Sequence, residues 1–158
     1  MSSFYTDLEK GRRAEQIVLN TFRKLTNKYQ FEDVSNNKEY YYKGDIRAIG
    51  ANANCPIFIE VKNDEAIAKT KNFLCEEEVY NKDGDYYVKG NMSCESNIYC
   101  VVSEAERLIY VLDFWKLKEI YKKGEYKVIP HTTQITYCYL LELCRAKQWG
   151  ALIDIIKY

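Results

Sequence analysis

The chain has 158 residues, 47% hydrophobic and 29% charged, with seven glycines and two prolines. That length accommodates one sizeable core rather than two ordinary domains, and the composition is that of a globular chain, so residues 1–158 are read as a single domain. Lysine plus arginine equals aspartate plus glutamate at 23 each, which counts against a simple DNA-coating protein while allowing an acidic centre with basic groups segregated locally.

Thr6 and Glu9 fit a capping box, and Ala14, Ile17, Val18, Phe22 and Leu25 follow at helical spacing, predicting a helix that ends near Tyr29. A short strand is expected over 31–34, a turn at Ser35-Asn36-Asn37, and a second strand over 40–49. The small, polar run 50–54 leads into an apolar strand over 56–62, and these two strands are expected to form a hairpin. Residues 72–80 and 86–88 flank Asn81-Lys82-Asp83-Gly84-Asp85, whose Asp-Gly step predicts another hairpin. Strands over 97–102 and 107–112 extend the sheet. Asp113 is suited to cap a helix with Phe114, Leu117, Ile120 and Tyr121 on its apolar stripe and Gly124 as its stop. A strand over 134–141 and a final helix carrying Trp149, Leu152, Ile155 and Ile156 complete an α/β chain: a mixed β-sheet flanked by helices.

The six cysteines include no C-x-x-C pair, and His131 is the single histidine, so structural zinc is not expected. Cysteines set in apolar runs, such as Cys100, read as reduced, buried hydrophobes of a reducing compartment. The first residues lack the basic flank and apolar stretch of a signal peptide, and no apolar run approaches the roughly 20 residues that span a bilayer. A soluble, cytoplasmic protein with no membrane partner is the expectation.

The strand over 56–62 ends in Glu60-Val61-Lys62. Alternate strand residues share a face, so Glu60 and Lys62 project together, about 7 Å apart, while Ile57, Ile59 and Val61 face the other way. Two charges at the end of a strand built for burial are costly unless they face each other, a metal or a substrate. Lys43-Gly44-Asp45 adds a third charge on the neighbouring strand, beside a glycine that lets backbone come close. An antiparallel hairpin brings Asp45 next to Glu60. Two such carboxylates suit Mg²⁺, with Mn²⁺ as a substitute, and a neighbouring lysine suits activation of water and stabilisation of developing negative charge.

Gly44-Asp45, the intervening loop and Glu60-Val61-Lys62 resemble, in order and spacing, the PD-(D/E)XK nuclease superfamily, with Gly44 where the motif's name has proline. The resemblance covers roughly residues 8–63 and implies a restriction-endonuclease-like fold and metal-dependent hydrolysis of DNA. By that resemblance Asp45, Glu60 and Lys62 are catalytic. Asp45, Glu60, the Val61 carbonyl and Glu15 of the first helix are the metal-site residues it implies. The stretch from Lys10-Gly11 to Glu15 is also similar to the first helix of archaeal Holliday-junction resolvases. Lys10, Arg12, Arg13, Lys43, Lys69 and Lys71 are the candidate DNA-binding residues, and a homodimer would supply one site for each strand of a duplex.

The chain contains its own control in Glu125-Tyr126-Lys127, a second Glu-x-Lys with no partner aspartate, read as a solvated turn. The tyrosines at 40–42 and 86–87 are suited to stack bases, but tyrosines are also good strand residues, and core or hairpin packing is the better reading. Lys116, Lys118, Lys122 and Lys123 read as the wet side of a helix, and His131 as structural. The remaining alternatives are a junction resolvase, a sequence-selective restriction or phage-type nuclease, and a binding or assembly module without cleavage.

Overall fold

The structure is a computed structural model and describes residues 4–82, 87–131 and 133–158. Its elements are α1 (Phe4–Leu25), β1 (Tyr29–Asp33), β2 (Ile46–Gly50), β3 (Ile57–Asn63), α2 (Ile67–Thr70), β4 (Asn72–Asn81), β5 (Tyr87–Lys89), β6 (Ile98–Ser103) and β7 (Leu108–Asp113). They continue with α3 (Phe114–Ile120), β8 (Glu125–Pro130), β9 (Gln134–Glu142), α4 (Leu143–Gln148) and β10 (Leu152–Lys157). The fold class is the mixed α/β arrangement expected, but the strands divide into two sheets. One has six strands in the order β1-β2-β3-β6-β7-β10, and the other has four, β5-β4-β9-β8.

Two adjacent interior strands explain the layering. In β6 and β7, Cys100, Val102, Ile109 and Val111 enter one core with Ala14, Val18 and Leu19 of α1. Tyr99, Val101, Tyr110 and Leu112 alternate to the opposite face and join Phe73, Leu141, Phe114 and Leu117 in a second core. The six-stranded sheet is therefore covered by α1 on one side and by the four-stranded sheet with α3 on the other. Covering both faces accounts for the unbroken apolar runs of β6 and β7. β3 pairs parallel with β6 in a sheet otherwise antiparallel, and the segment between them crosses into the second sheet through β4 and β5.

Several expectations are corrected. α1 begins at Phe4 and stops at Leu25, so Thr6 lies inside its first turn and is not the cap. Residues 40–49 are not one strand: a 3₁₀ turn spans Lys38–Tyr40, with the Asn37 side chain accepting from Glu39 N–H, and the strand starts only at Ile46. Gly44, at φ +138°, breaks the extended run between them. The C-terminal helix ends at Gln148; Gly150 (φ +74°) turns the chain, and β10 lies antiparallel to β7. Trp149, Leu152, Ile155 and Ile156 happen to match helical spacing, but Ile153-Asp154-Ile155-Ile156 is also a β-branched strand sequence. Glu125-Tyr126-Lys127 lies in β8, an exposed edge strand, rather than in a turn.

Other expectations stand. β2 and β3 form the antiparallel hairpin, β4 pairs with β5, and the Asp113 side chain caps α3 by accepting from Lys116 N–H at 3.1 Å. The Asp83-Gly84 step and Tyr86 lie outside the described residues. All six cysteines are unpaired, with Cys75, Cys94, Cys100 and Cys138 buried. Among the described residues no helix is long and apolar enough to cross a membrane.

Phe73 of β4 is fully buried and meets Tyr110 of β7 edge to face, with ring centroids 5.8 Å apart, so it ties the second sheet to the first. Phe73→Ala should cost about 3–5 kcal/mol in urea denaturation, the usual penalty for emptying a buried aromatic position; a loss below about 1 kcal/mol would show that the two sheets do not depend on this contact.

Candidate functional site

The β2–β3 hairpin pairs Ile46 with Ile59, which sets Asp45 beside Glu60 one step further along. Asp45 is fixed by its backbone: its N–H donates to the Ile59 carbonyl at 2.9 Å, and its own carbonyl accepts from Val34 N–H at 2.8 Å. Its Oδ2 accepts from Val61 N–H at 2.8 Å. The preceding residue must be glycine for two reasons. A β-carbon at Gly44 would lie 2.8 Å from the Ile59 carbonyl and 2.6 Å from Ser96 Oγ, and φ +138° is closed to ordinary side chains.

Glu60 and Lys62 leave β3 on the face of Tyr99 and Val101, their register partners on β6, while Val61 packs into the core beneath α1. Glu60 Oε2 accepts from the Cys94 thiol at 3.3 Å. Lys62 Nζ donates to Glu76 Oε1 of β4 at 2.9 Å. Asp45, Glu60, Val61, Lys62 and Glu76 line one cleft of about 720 Å³, to which Glu15 of α1 also contributes.

The electrostatics of the cleft are those of carboxylates short of positive charge. Burial, then the charge of Glu60, pushes Asp45 up to about 7. Glu15 is likewise raised to about 7, first by burial and then by Asp45, with Ser35 partly opposing through a hydrogen bond. Glu60 is raised chiefly by burial, against the lowering effects of the Cys94 hydrogen bond and the charge of Lys62. Burial with the adjacent Glu60 charge pushes the Cys94 thiol up to about 12, so it remains an S–H donor.

Glu76 is the cleft residue that sequence reasoning missed. The register between β4 and β9 shifts between Glu76 and Glu78, a bulge that re-aims side chains. Glu76 faces Lys62, while Glu77 accepts from Tyr121 Oη at 2.7 Å and pairs with Lys122 at 2.8 Å. Asn91 braces this position: its Oδ1 accepts from Glu76 N–H at 3.0 Å and its Nδ2 donates to Tyr99 Oη at 2.8 Å. The signal available in the sequence was Glu76-Glu77-Glu78, three acids inside an otherwise apolar strand.

Three of the six candidate DNA-binding residues are held in ion pairs. Lys10 pairs with Glu65 at 2.8 Å, Arg13 with Glu104 at 3.0 Å, and Lys71 with Glu106. Arg12, Lys43 and Lys69 are exposed. Tyr40 packs on Phe58 with ring centroids 5.5 Å apart, as core or hairpin packing requires, but Tyr41 and Tyr42 are 74% and 66% exposed beside the cleft, contrary to that reading.

Asp45 and Glu60 offer hard oxygen donors whose protonation is favoured by desolvation, a penalty that a bound dication would relieve. Among the described residues no group of three or more His, Cys, Asp or Glu side chains stands close enough to hold an ion. Glu15 therefore does not complete a three-acid cage with Asp45 and Glu60. A site of two carboxylates fits Mg²⁺, which is commonly held by one or two of them together with water and phosphate oxygens.

No protein-family model matches the chain, and no curated protein does. Among solved structures, the chain is similar to a bacterial homing endonuclease at 14% identity and a TM-score of 0.48, over 80% of this chain and 74% of that one.

The raised carboxylates make a pH prediction. Asp45 and Glu15 titrate near 7 when folded, against about 4 when unfolded. Between those values the folded chain binds more protons, so the contribution of these groups to stability is full below about pH 4 and is lost as pH rises through about 7. Calorimetry on metal-free protein should show the Tm of an Asp45→Asn, Glu15→Gln variant gaining on the wild type between about pH 5 and pH 8. A constant difference across that range would mean that the two acids are not raised.

Proposed function

We propose that this protein is a metal-dependent deoxyribonuclease that hydrolyses phosphodiester bonds in the cleft between its two sheets. The observation that carries the reading is the convergence on one cleft of Asp45 and Glu60, both raised by desolvation, with Lys62 two residues along the same strand. In this reading Asp45, Glu60 and the Val61 carbonyl hold Mg²⁺ or Mn²⁺. When bound, the cation supplies charge stabilisation for the phosphoryl group and lowers the pKa of water.

The chain's own residues do the rest. The Val61 N–H holds one oxygen of Asp45 and leaves the other for the cation, while the Cys94 thiol steadies Glu60. Lys62 supplies an ammonium group to orient the attacking water and offset charge as the bond breaks. Glu76 holds that amine in the cleft until substrate arrives. Glu15 is outside a shared three-acid cluster and acts on Glu60 through its charge. DNA is the substrate because the Gly44-Asp45 and Glu60-Val61-Lys62 pattern resembles that of DNA-cutting enzymes.

Purified protein should nick or cut plasmid DNA and oligonucleotide substrates with Mg²⁺ or Mn²⁺ and not with EDTA. Lys62→Ala should lose at least about 100-fold in rate, the scale of removing one group that stabilises transition-state charge. Preference for a four-way junction over linear duplex would select a resolvase, and a fixed cutting sequence would select a restriction-type enzyme. No cutting of any substrate with either metal would overturn the nuclease reading in favour of a binding module.

A further inference from the structure

Beside the carboxylates lies a feature that their chemistry does not use. Tyr41 and Tyr42 are adjacent, 74% and 66% exposed, and stand edge to face with ring centroids 5.4 Å apart. Both line the cleft, whose mouth also carries Val88 and Lys89 of β5. Core packing does not account for them, since Tyr40 alone of the three packs against Phe58.

The turn that bears them is held firmly. Lys43 N–H donates to the Tyr40 carbonyl at 2.8 Å. The Tyr42 carbonyl accepts from Glu95 N–H at 2.8 Å. The Lys43 carbonyl accepts from the buried Ser96 hydroxyl. Two residues beyond Lys43 the chain reaches Asp45, so the exposed rings are set at a fixed short distance along the chain from the carboxylates.

Flat, exposed aromatic rings stack on bases whose faces are open, which means bases out of a duplex stack. A protein following duplex DNA relies mainly on cations along the phosphates. Here three of the six candidate cations, Lys10, Arg13 and Lys71, are bound to Glu65, Glu104 and Glu106, while Arg12, Lys43 and Lys69 stay exposed and Lys43 directly follows the two rings. We infer that Tyr41 and Tyr42 form a stacking ledge for unpaired nucleotides and that the preferred substrate is single-stranded or locally unpaired DNA. This inference rests on the nuclease reading and names the substrate class of the same cleft.

The test is fluorescence anisotropy with a labelled single-stranded oligonucleotide and with the same oligonucleotide annealed to its complement, in Ca²⁺. Cleavage of unlabelled single strand and plasmid by the wild type in Mg²⁺ is measured alongside. The wild type should bind the single strand more tightly than the duplex. Tyr41→Ala and Tyr42→Ala should each raise the single-strand Kd by roughly tenfold, leaving duplex binding and Tm unchanged, while Tyr41→Phe and Tyr42→Phe keep the ring and the affinity. If the wild type cuts DNA with metal but the alanine variants bind single strand normally, or lose single strand and duplex equally, the ledge is overturned and the nuclease stands. If the wild type neither binds nor cuts, the nuclease reading fails and the ledge with it.

Discussion

The candidate site depends on how closely two strands meet at Gly44. With no β-carbon there, the chain approaches the Ile59 carbonyl, Asp45 N–H bonds to that carbonyl, and the Asp45 side chain turns back to accept from Val61 N–H. These two hydrogen bonds straddle Glu60. They hold one carboxylate against the strand that bears the other, so the pair is set by backbone geometry instead of by flexible side chains. Two carboxylates held together away from water repel each other and resist ionisation. A site of this kind persists because the surrounding structure over-determines it.

That support comes from both layers. Ile46, Ile59 and Val61 anchor the hairpin in the core beneath α1, and Tyr99 and Val101 anchor its neighbour β6 in the core beneath the second sheet. The segment just before β6 is a clamp. Asn97 N–H donates to the Phe58 carbonyl and Phe58 N–H to the Asn97 side chain, both at 2.9 Å, while Ser96 and Glu95 hold the 42–43 turn. The tyrosine turn, the Asp45 loop and the end of β3 are thus fastened by one short stretch of chain.

The second sheet supplies what the hairpin lacks. After β3 the chain leaves the six-stranded sheet, and β4 of the second sheet lines the cleft with Glu76 facing Lys62. Gly90 makes the crossing possible: a β-carbon there would sit 2.1 Å from the Glu76 carbonyl, so the chain before β6 packs directly on the strand bearing the acid. Acid and amine meet although 14 residues separate them in the chain.

The sequence by itself determined the local parts. Apolar periodicity located α1 and α3, runs of apolar, β-branched and aromatic residues bounded by turn signals located β3, β4, β6, β7 and β9, and charged residues at the end of an apolar strand marked Glu60 and Lys62, because unpaired charge there is costly wherever it occurs. It misread 40–45, where one positive-φ glycine overrode tyrosines that favour strands, and 152–157, where four apolar positions fit both periods and only pairing with β7 decided between them. Tertiary structure alone decided that the strands form two sheets, that Glu76 meets Lys62 and that Tyr41 and Tyr42 stay in solvent. Each of those depends on contacts between residues far apart in the chain, and periodicity reports only which face of an element is apolar, not what lies against it.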